Sequence, residues 1–394
     1  MSILSYIIWN TDPEFFTIPI LDRPVRYYGL LFALAFLITQ QIMFYIYRKE
    51  GKPERDVETL TIYMVIATIL GARLGHVLFY EPEKYLANPI DILKIWEGGL
   101  ASHGAAFGIL FALWVYVNYY IKINLNPFSK PKKRFAFKKH KREHQSYLQV
   151  VDRIVIVVAL AGCLIRLGNF MNSEIYGIPT QSEYGVVFVN NATEAFAGYS
   201  SPIDEIDYKK DGGRALSEQG YVPIELAVKF KNEPEILNEQ SITQYLTGKF
   251  KNVITDYAYV SAHIYHPENQ ELDYKLSQNP DGSYTAIVKV YGIARHPTQL
   301  YEAATSFLIF VLLLLLWLKY KNETPQGLLL GLFLILLFGL RFVHELFKEN
   351  QVAFEDEMTY NMGQILSIPL IIAGVLILYR AISKGRYKEK EQNS

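Results

Sequence analysis

Apolar and polar positions in this chain segregate in blocks of about twenty residues. Seven stretches, 27–47, 57–80, 99–121, 151–172, 300–320, 326–347 and 361–381, are mostly apolar. Each is long enough to cross a hydrocarbon core of about 30 Å, which takes about 20 helical residues. Between the fourth and fifth stretches the pattern changes. From 178 to 296, short runs such as Tyr184–Val189, Tyr221–Phe230, Tyr257–Tyr265 and Tyr284–Tyr291 are separated by Gly, Asn and Asp turns, which is a strand pattern. The expectation is an all-α polytopic membrane protein of seven transmembrane helices, with a small β-rich domain inserted between helices 4 and 5. Its segments are 1–177 with helices 1–4, the insert 178–296, and 297–394 with helices 5–7 and a tail.

Charge orients the spans. Arg48, Lys49, Lys52 and Arg55 follow the first; Lys130, Lys132, Lys133, Arg134, Lys138, Lys139, Lys141 and Arg142 lie between the third and fourth. Lys319 and Lys321 follow the fifth, and Arg380, Lys384, Arg386, Lys388 and Lys390 follow the seventh. The short loops at the opposite ends, 81–98 and 348–360, hold Glu81, Glu83, Asp91, Glu355, Asp356 and Glu357 and few basic residues. Basic loops stay in the cytoplasm, so the N-terminus is expected outside, the C-terminus inside and the insert extracytoplasmic. The basic loop 122–150 reads as a solvated cytoplasmic loop near anionic headgroups; a nucleic-acid partner is not expected.

Composition adds exclusions. The chain is 51% hydrophobic with zero formal net charge, and the polar insert holds the mean hydropathy to +0.10. One cysteine, Cys163, excludes an intramolecular disulfide and a cysteine zinc cluster. His263 and His266 have no neighbouring carboxylate or cysteine to complete a metal set, so they read as surface or packing residues, and no metal or cofactor is expected. The N-terminus lacks the pattern of a cleaved signal peptide.

The informative residues are charges inside the spans. Arg73 stands about sixteen residues into the second span, Arg166 about fifteen into the fourth and Arg341 about fifteen into the sixth. These spans all run outward, so a rise of 1.5 Å per residue brings the three arginines to one depth in the outer leaflet. Arg26 and Tyr28 open the first span from outside, and His103 opens the third. Arg341 and Glu345 at i,i+4, like Arg166 and Asn169 at i,i+3, share a helix face. Gly98, Gly99, Gly104, Gly108 and Gly168 permit close helix approach, while Tyr80, Tyr85, Trp96 and Tyr301 suit an outer aromatic belt. One arginine could pair or snorkel; a layer of them marks a site.

Arginine presents a charged fork matched to phosphate oxygens, and at this depth the phosphate belongs to a lipid. His103 is the group in the layer that can exchange a proton near neutral pH. Phosphate-gripping arginines beside a base suit transfer chemistry on a phospholipid. The inner halves of the even-numbered spans, such as Gly327–Leu337, are nearly free of ionisable groups. A membrane transporter would line both leaflets, and a lipid-binding scaffold would not need His103; these two remain the alternatives to a one-sided enzyme.

Several motifs resemble the bacterial prolipoprotein diacylglyceryl transferase family. Arg166-Leu-Gly-Asn169-Phe-Met-Asn172-Ser-Glu174-Ile-Tyr-Gly177 is similar to its signature, with Ile165 where glycine is usual. Arg26-Tyr27-Tyr28-Gly29, Gly71-Ala72-Arg73-Leu74-Gly75, Glu97-Gly98-Gly99 with Ser102-His103-Gly104, Arg295-His296-Pro297-Thr298-Gln299-Leu300-Tyr301-Glu302, and Arg341 with Glu345 resemble its other elements. Two departures stand out. Leu337 occupies a position where family members carry a tyrosine, and the 122–150 loop and the insert look enlarged, as in a lineage-specific elaboration.

The resemblance implies a bacterial plasma-membrane enzyme, acting as a monomer without cofactor. It would move diacylglyceryl from phosphatidylglycerol to the lipobox cysteine of a prolipoprotein signal peptide, releasing glycerol 1-phosphate. His103 would take the thiol proton, Arg166 would grip the lipid phosphate, and Arg341 would share the leaving group's charge. Asn169, Asn172, Glu174 and Gly177 would shape that grip, Glu345 would hold Arg341, and Tyr28 and Arg73 would line the site. Cys163 would be a bystander, because the reacting sulfur belongs to the substrate.

Overall fold

A computed structural model describes residues 6–19, 23–95, 98–123, 135–139, 142, 145–198, 201–233, 238–349, 355 and 357–392. Trp96, Glu97, Lys130, Lys132, Lys133, Arg134, Lys141 and Asp356 lie outside them. The apolar stretches are helices: α1 (Tyr27–Lys49), α2 (Glu54–Phe79), α3 (Ser102–Asn118), α4 (Tyr147–Met171), α5 (Thr298–Tyr320), α6 (Leu328–His344) and α7 (Met362–Gln392). Six of these segments are long and apolar enough to cross a membrane; α3, the third expected span, is a shorter apolar helix. It ends at Asn118 because Tyr119–Ile123 turns into a strand paired antiparallel with Phe135–Lys139. The basic loop thus begins as a hairpin. Large apolar side chains such as Leu70, Leu74, Leu78, Phe107 and Phe111 are exposed, as lipid-facing positions must be.

The chain divides into two compact units, one of Met1–Leu31, Leu164–Ala304 and Arg341–Gln364, the other of Phe32–Cys163, Thr305–Leu340 and Ile365–Ser394. In the second unit, Met43, Ile46, Leu60, Leu113, Ile156, Leu313, Trp317 and Phe333 belong to one apolar core, which Leu337 borders. Its buried charge is answered in place. Arg153 donates to Glu50 through Nε (2.9 Å) and Nη2 (2.7 Å), and the Trp317 indole N–H adds a third bond at 2.8 Å. Asp152 accepts from the Gly327 and Leu330 amides at 2.7 and 2.8 Å, satisfying backbone donors around the start of α6. The α2–α3 packing depends on small residues: a Cβ on Gly71 would come within 2.5 Å of Gly104 O, and one on Gly108 within 2.7 Å of Ala67 O. Such close backbone approach is what small residues permit in membranes.

The first unit contains a five-stranded antiparallel sheet. Strands Asp273–Gln278, Tyr284–Gly292, Val222–Phe230 and Ile203–Lys210 lie side by side in that spatial order, and Ile264–Tyr265 pairs with the end of Tyr284–Gly292. Alternate residues of the central strands, among them Ile224, Leu226, Val228, Ala286, Val288 and Val290, are fully buried, the period of two that a one-sided core requires. The expected strand at Tyr257–Tyr265 is instead a helical turn, Ala258–Ser261, leading into the two-residue strand Ile264–Tyr265. Val260 and Ile264 are both buried in the same core, while Tyr257, Ala258 and Tyr259 are exposed in succession, a run that strand alternation does not allow. Ile7–Trp9 pairs in parallel with Val186–Phe188, and buried Tyr6 donates to Pro223 O at 2.5 Å. The N-terminal segment therefore belongs to the same unit as the insert.

Candidate active site

The signature segment begins in the last turns of α4 and continues through an irregular turn. Ser173 and Ile175 have φ of 53° and 57°, a left-handed conformation that costs a β-branched residue about 1–2 kcal/mol. Neighbouring groups hold the turn in place. Thr298 donates to Ile175 O (3.1 Å), Gln299 to Glu174 O (2.7 Å), and the Gly177 amide to His296 O (2.9 Å). A Cβ on Gly177 would collide with Phe347 O and lie 2.7 Å from both His296 Cβ and His296 O, so glycine is required. Arg295, buried, donates to Gly177 O (3.2 Å) and Ala262 O (2.8 Å), pairs with Glu349 at 3.0 Å, and stacks its guanidinium over Tyr176.

This turn returns Glu174 to α4. Its Oε1 accepts from Asn169 Nδ2 at 2.8 Å and Asn172 Nδ2 at 3.4 Å. Asn169 Oδ1 in turn accepts from Arg166 Nη1 at 3.3 Å. Tyr28 lies near enough to feel the charges of both Glu174 and Arg166, and Gly168 makes room for it: a Cβ there would be 2.9 Å from the Tyr28 ring. Asn172 Oδ1 is buried with no hydrogen-bond partner among the described residues, an acceptor facing an unmet desolvation cost.

Arg166 also begins a chain of alternating charges. Its Nε is 2.6 Å from Glu302 Oε2, and Glu302 Oε1 is 2.7 Å from Lys348 Nζ. Lys348 reaches Glu345 Oε1 at 3.1 Å, and Arg341 Nε reaches the same oxygen at 3.4 Å. Asn361 donates to Glu345 Oε2 at 3.2 Å. Glu302, Glu345 and Lys348 are under 10% exposed, while the Arg341 side chain is 42% exposed. Three cations share two carboxylates, so the chain carries one net positive charge with its arginines at the ends. Burial magnifies that surplus, and guanidinium groups held by carboxylates are able to offer an anion charge-assisted hydrogen bonds.

Sequence reasoning placed Arg166, Asn169, Asn172, Glu174, Gly177, Tyr28, Arg341 and Glu345 among the candidates, and the first unit brings all of them together. It passed over Glu302 and Lys348 as site residues. Glu302 could have been found as the only carboxylate in α5, and Lys348 as the i+3 neighbour of Glu345.

His103 and Arg73 belong to the other unit. His103, in the first turn of α3, meets the rings of Phe79 and Tyr80 at 5.3 and 5.8 Å. Arg73 differs from its expected role as a lining residue: every guanidinium donor is committed to a backbone carbonyl of the α2–α3 connection. Tyr85, expected in the aromatic belt, is buried beneath Arg73, whereas Tyr80 is exposed. His263 is buried against Tyr176; burial and the Arg295 charge push it down to about 3, so it stays neutral at physiological pH. Cys163 is buried and unpaired.

Six bilayer-length helices mark a polytopic membrane protein, and its first unit carries two arginines held by buried carboxylates. The sequence pattern of the prolipoprotein diacylglyceryl transferase family matches residues 13–129 and 134–380. The chain belongs to that family. It is 36% identical to the phosphatidylglycerol–prolipoprotein diacylglyceryl transferase of Tolumonas auensis, over 96% of this chain and 100% of the relative. It is 30% identical to the protein of that name from Chloroherpeton thalassium, over 99% of each, and 29% identical to that from Porphyromonas gingivalis, over 97% of each. Alignments of this length include the insert and the basic loop, so these are not peculiar to one lineage.

Proposed function

We propose that this transferase, like its relatives by their names, moves the diacylglyceryl group of phosphatidylglycerol to a prolipoprotein, and that the acceptor is the lipobox cysteine of the signal peptide. The observation that carries the reading is the Arg166–Glu302–Lys348–Glu345–Arg341 chain, whose surplus positive charge suits a lipid phosphate. The substrate sulfur attacks the glycerol carbon that bears the phosphate oxygen. That C–O bond breaks, the electron pair leaves with glycerol 1-phosphate, and the thiol proton passes to a base. Arg166 grips the phosphate and Arg341 stabilises the charge that grows on it in the transition state. Asn169 and Glu174 orient Arg166, Glu345 orients Arg341, and Tyr28 and Asn172 line the headgroup. Asn172 Oδ1, lacking a partner, suits a headgroup hydroxyl. His103 takes the thiol proton, an assignment that rests on the Ser102-His103-Gly104 motif.

In this reading α3 is a seventh crossing, at 17 residues about 25 Å long. The N-terminus and the insert 178–296 lie outside, the basic loop and C-terminus inside, and the membrane is the bacterial plasma membrane. The enzyme acts as a monomer. The test is incubation of purified protein with phosphatidylglycerol and a lipobox peptide, scoring thioether product and glycerol phosphate together. Release of glycerol phosphate without thioether, or neither product, would defeat the proposal.

A further inference from the structure

Arg73 is 3% exposed, and its five N–H donors have five acceptors. Nε donates to Ile92 O at 2.9 Å; Nη1 to Gly98 O and Gly99 O at 2.6 and 3.3 Å; Nη2 to Asp91 O and Lys94 O at 2.5 and 3.2 Å. Tyr85 covers the guanidinium with its ring at 4.8 Å. A guanidinium has five donors in a fixed fork, so none is left for a ligand. The carbonyls it gathers flank both ends of the Asp91–Gly99 connection, of which Trp96 and Glu97 are outside the described residues.

The clamped connection leads directly into the start of α3. The Ala101 amide donates to Ala72 O at 2.9 Å, and a Cβ on Gly104 would collide with Gly71 O. The first turn of α3 is therefore fixed to the turn of α2 that carries Arg73, and His103 sits in that first turn. A Cβ on Gly99, whose φ is +72°, would come 2.7 Å from Arg73 Nη1 and 2.6 Å from His76 Cδ2. His76 stacks on Tyr80 at 5.4 Å, and Tyr80 contacts His103. Among the described residues, three further ion pairs lie around this connection: His76 with Glu81 at 3.3 Å, Lys84 with Glu81 at 2.9 Å and Lys94 with Asp91 at 2.7 Å.

We infer that Arg73 is a positioning residue for His103: it locks the loop that delivers the base and makes no contact with the lipid phosphate. The inference rests on the assignment of His103 as the base. A base displaced by about 1 Å loses much of its contribution, on the order of 100-fold. The loss should vanish when the thiol ionises unaided. With a thiol pKa of about 8.5, the thiolate fraction rises about 30-fold between pH 7 and 9.5.

The experiment measures transfer from phosphatidylglycerol vesicles to a lipobox peptide at pH 7 and 9.5. It uses the full chain, Arg73→Gln, His103→Ala and the double variant. Arg73→Gln should lose 10–100-fold in kcat at pH 7, keep KM for phosphatidylglycerol within two-fold, and recover most of the loss at pH 9.5. The double variant should be no slower than His103→Ala, because both changes remove the same contribution. A raised KM, a loss undiminished at pH 9.5, or losses that multiply would overturn the inference while leaving the base assignment standing. Wild-type turnover in His103→Ala would overturn the base assignment and the inference with it. Should Arg73→Gln fail to insert, Gly99→Ala displaces the same guanidinium from the opposite side. The same pH-recoverable loss is then expected, and wild-type kcat would overturn the inference.

Discussion

Glu302→Gln tests the charge chain where it is most exposed to a sign error. Glu302 bridges Arg166 at 2.6 Å and Lys348 at 2.7 Å, with its side chain 8% exposed. The substitution keeps the shape, removes the charge and leaves partly exposed Arg166 and buried Lys348 facing each other through a neutral amide. Breaking a buried pair in this way typically costs about 3–5 kcal/mol. The thermal midpoint of the detergent-solubilised protein should fall by several degrees. Activity should respond in two opposed ways. The net charge of the chain rises from one to two, so attraction for an anionic lipid does not weaken and KM for phosphatidylglycerol should stay level or fall. Arg166 loses its Nε anchor, and a guanidinium misplaced by about 1 Å costs on the order of 100-fold in rate. The assay is initial-rate release of glycerol phosphate across a phosphatidylglycerol titration. A raised KM with unchanged kcat would mean that Glu302 contacts the lipid directly, and the argument that it positions Arg166 would be refuted.

Four further outcomes are expected. Arg166→Lys retains charge but loses the fork, so transfer should fall about 100-fold or more with insertion unchanged; near-normal release of glycerol phosphate would defeat the two-point grip. Cys163→Ala should leave turnover within two-fold, and a dead variant would show that the reacting sulfur is not the substrate's. Gly177→Ala drives a Cβ into Phe347 O and to 2.7 Å from His296 O, so activity should collapse with a loss of about 1–3 kcal/mol in stability; a fully active variant would show that the turn is free to move. His263 stays neutral when folded down to about 3 but protonates near 6.5 when unfolded. Between these values the unfolded state binds the extra proton, so stability drops as pH falls, by at most about 1.4 kcal/mol per pH unit. His263→Phe should flatten the pH 6-to-4 slope of sheet unfolding monitored by hydrogen exchange, and an unchanged slope would show that His263 is not buried neutral.

The six long apolar helices were legible because apolar length is a local rule, and the arginines within the apolar runs drew notice because a charge there carries a desolvation cost. Contacts made by segments distant in sequence were not. Glu302 looks like an ordinary carboxylate near the start of a helix until Arg166, about 136 positions earlier, is seen at 2.6 Å. The Tyr257–Tyr265 run alternates well enough to suggest a strand, yet Tyr257, Ala258 and Tyr259 are exposed in succession and Ala258–Ser261 forms a helical turn. Depth also grouped Arg73 with Arg166 and Arg341 as if the three shared a ligand. Their partners separate them. Arg166 and Arg341 are answered by carboxylates shared with Lys348, which leaves positive charge over; Arg73 is answered by five neutral carbonyls, which leaves no donor over. A charge balanced by fewer charges can still bind an anion, whereas a fork whose every hydrogen is committed to backbone can only hold that backbone still. On the roles proposed, the three arginines therefore divide into two kinds of part, a receptor for phosphate and a brace.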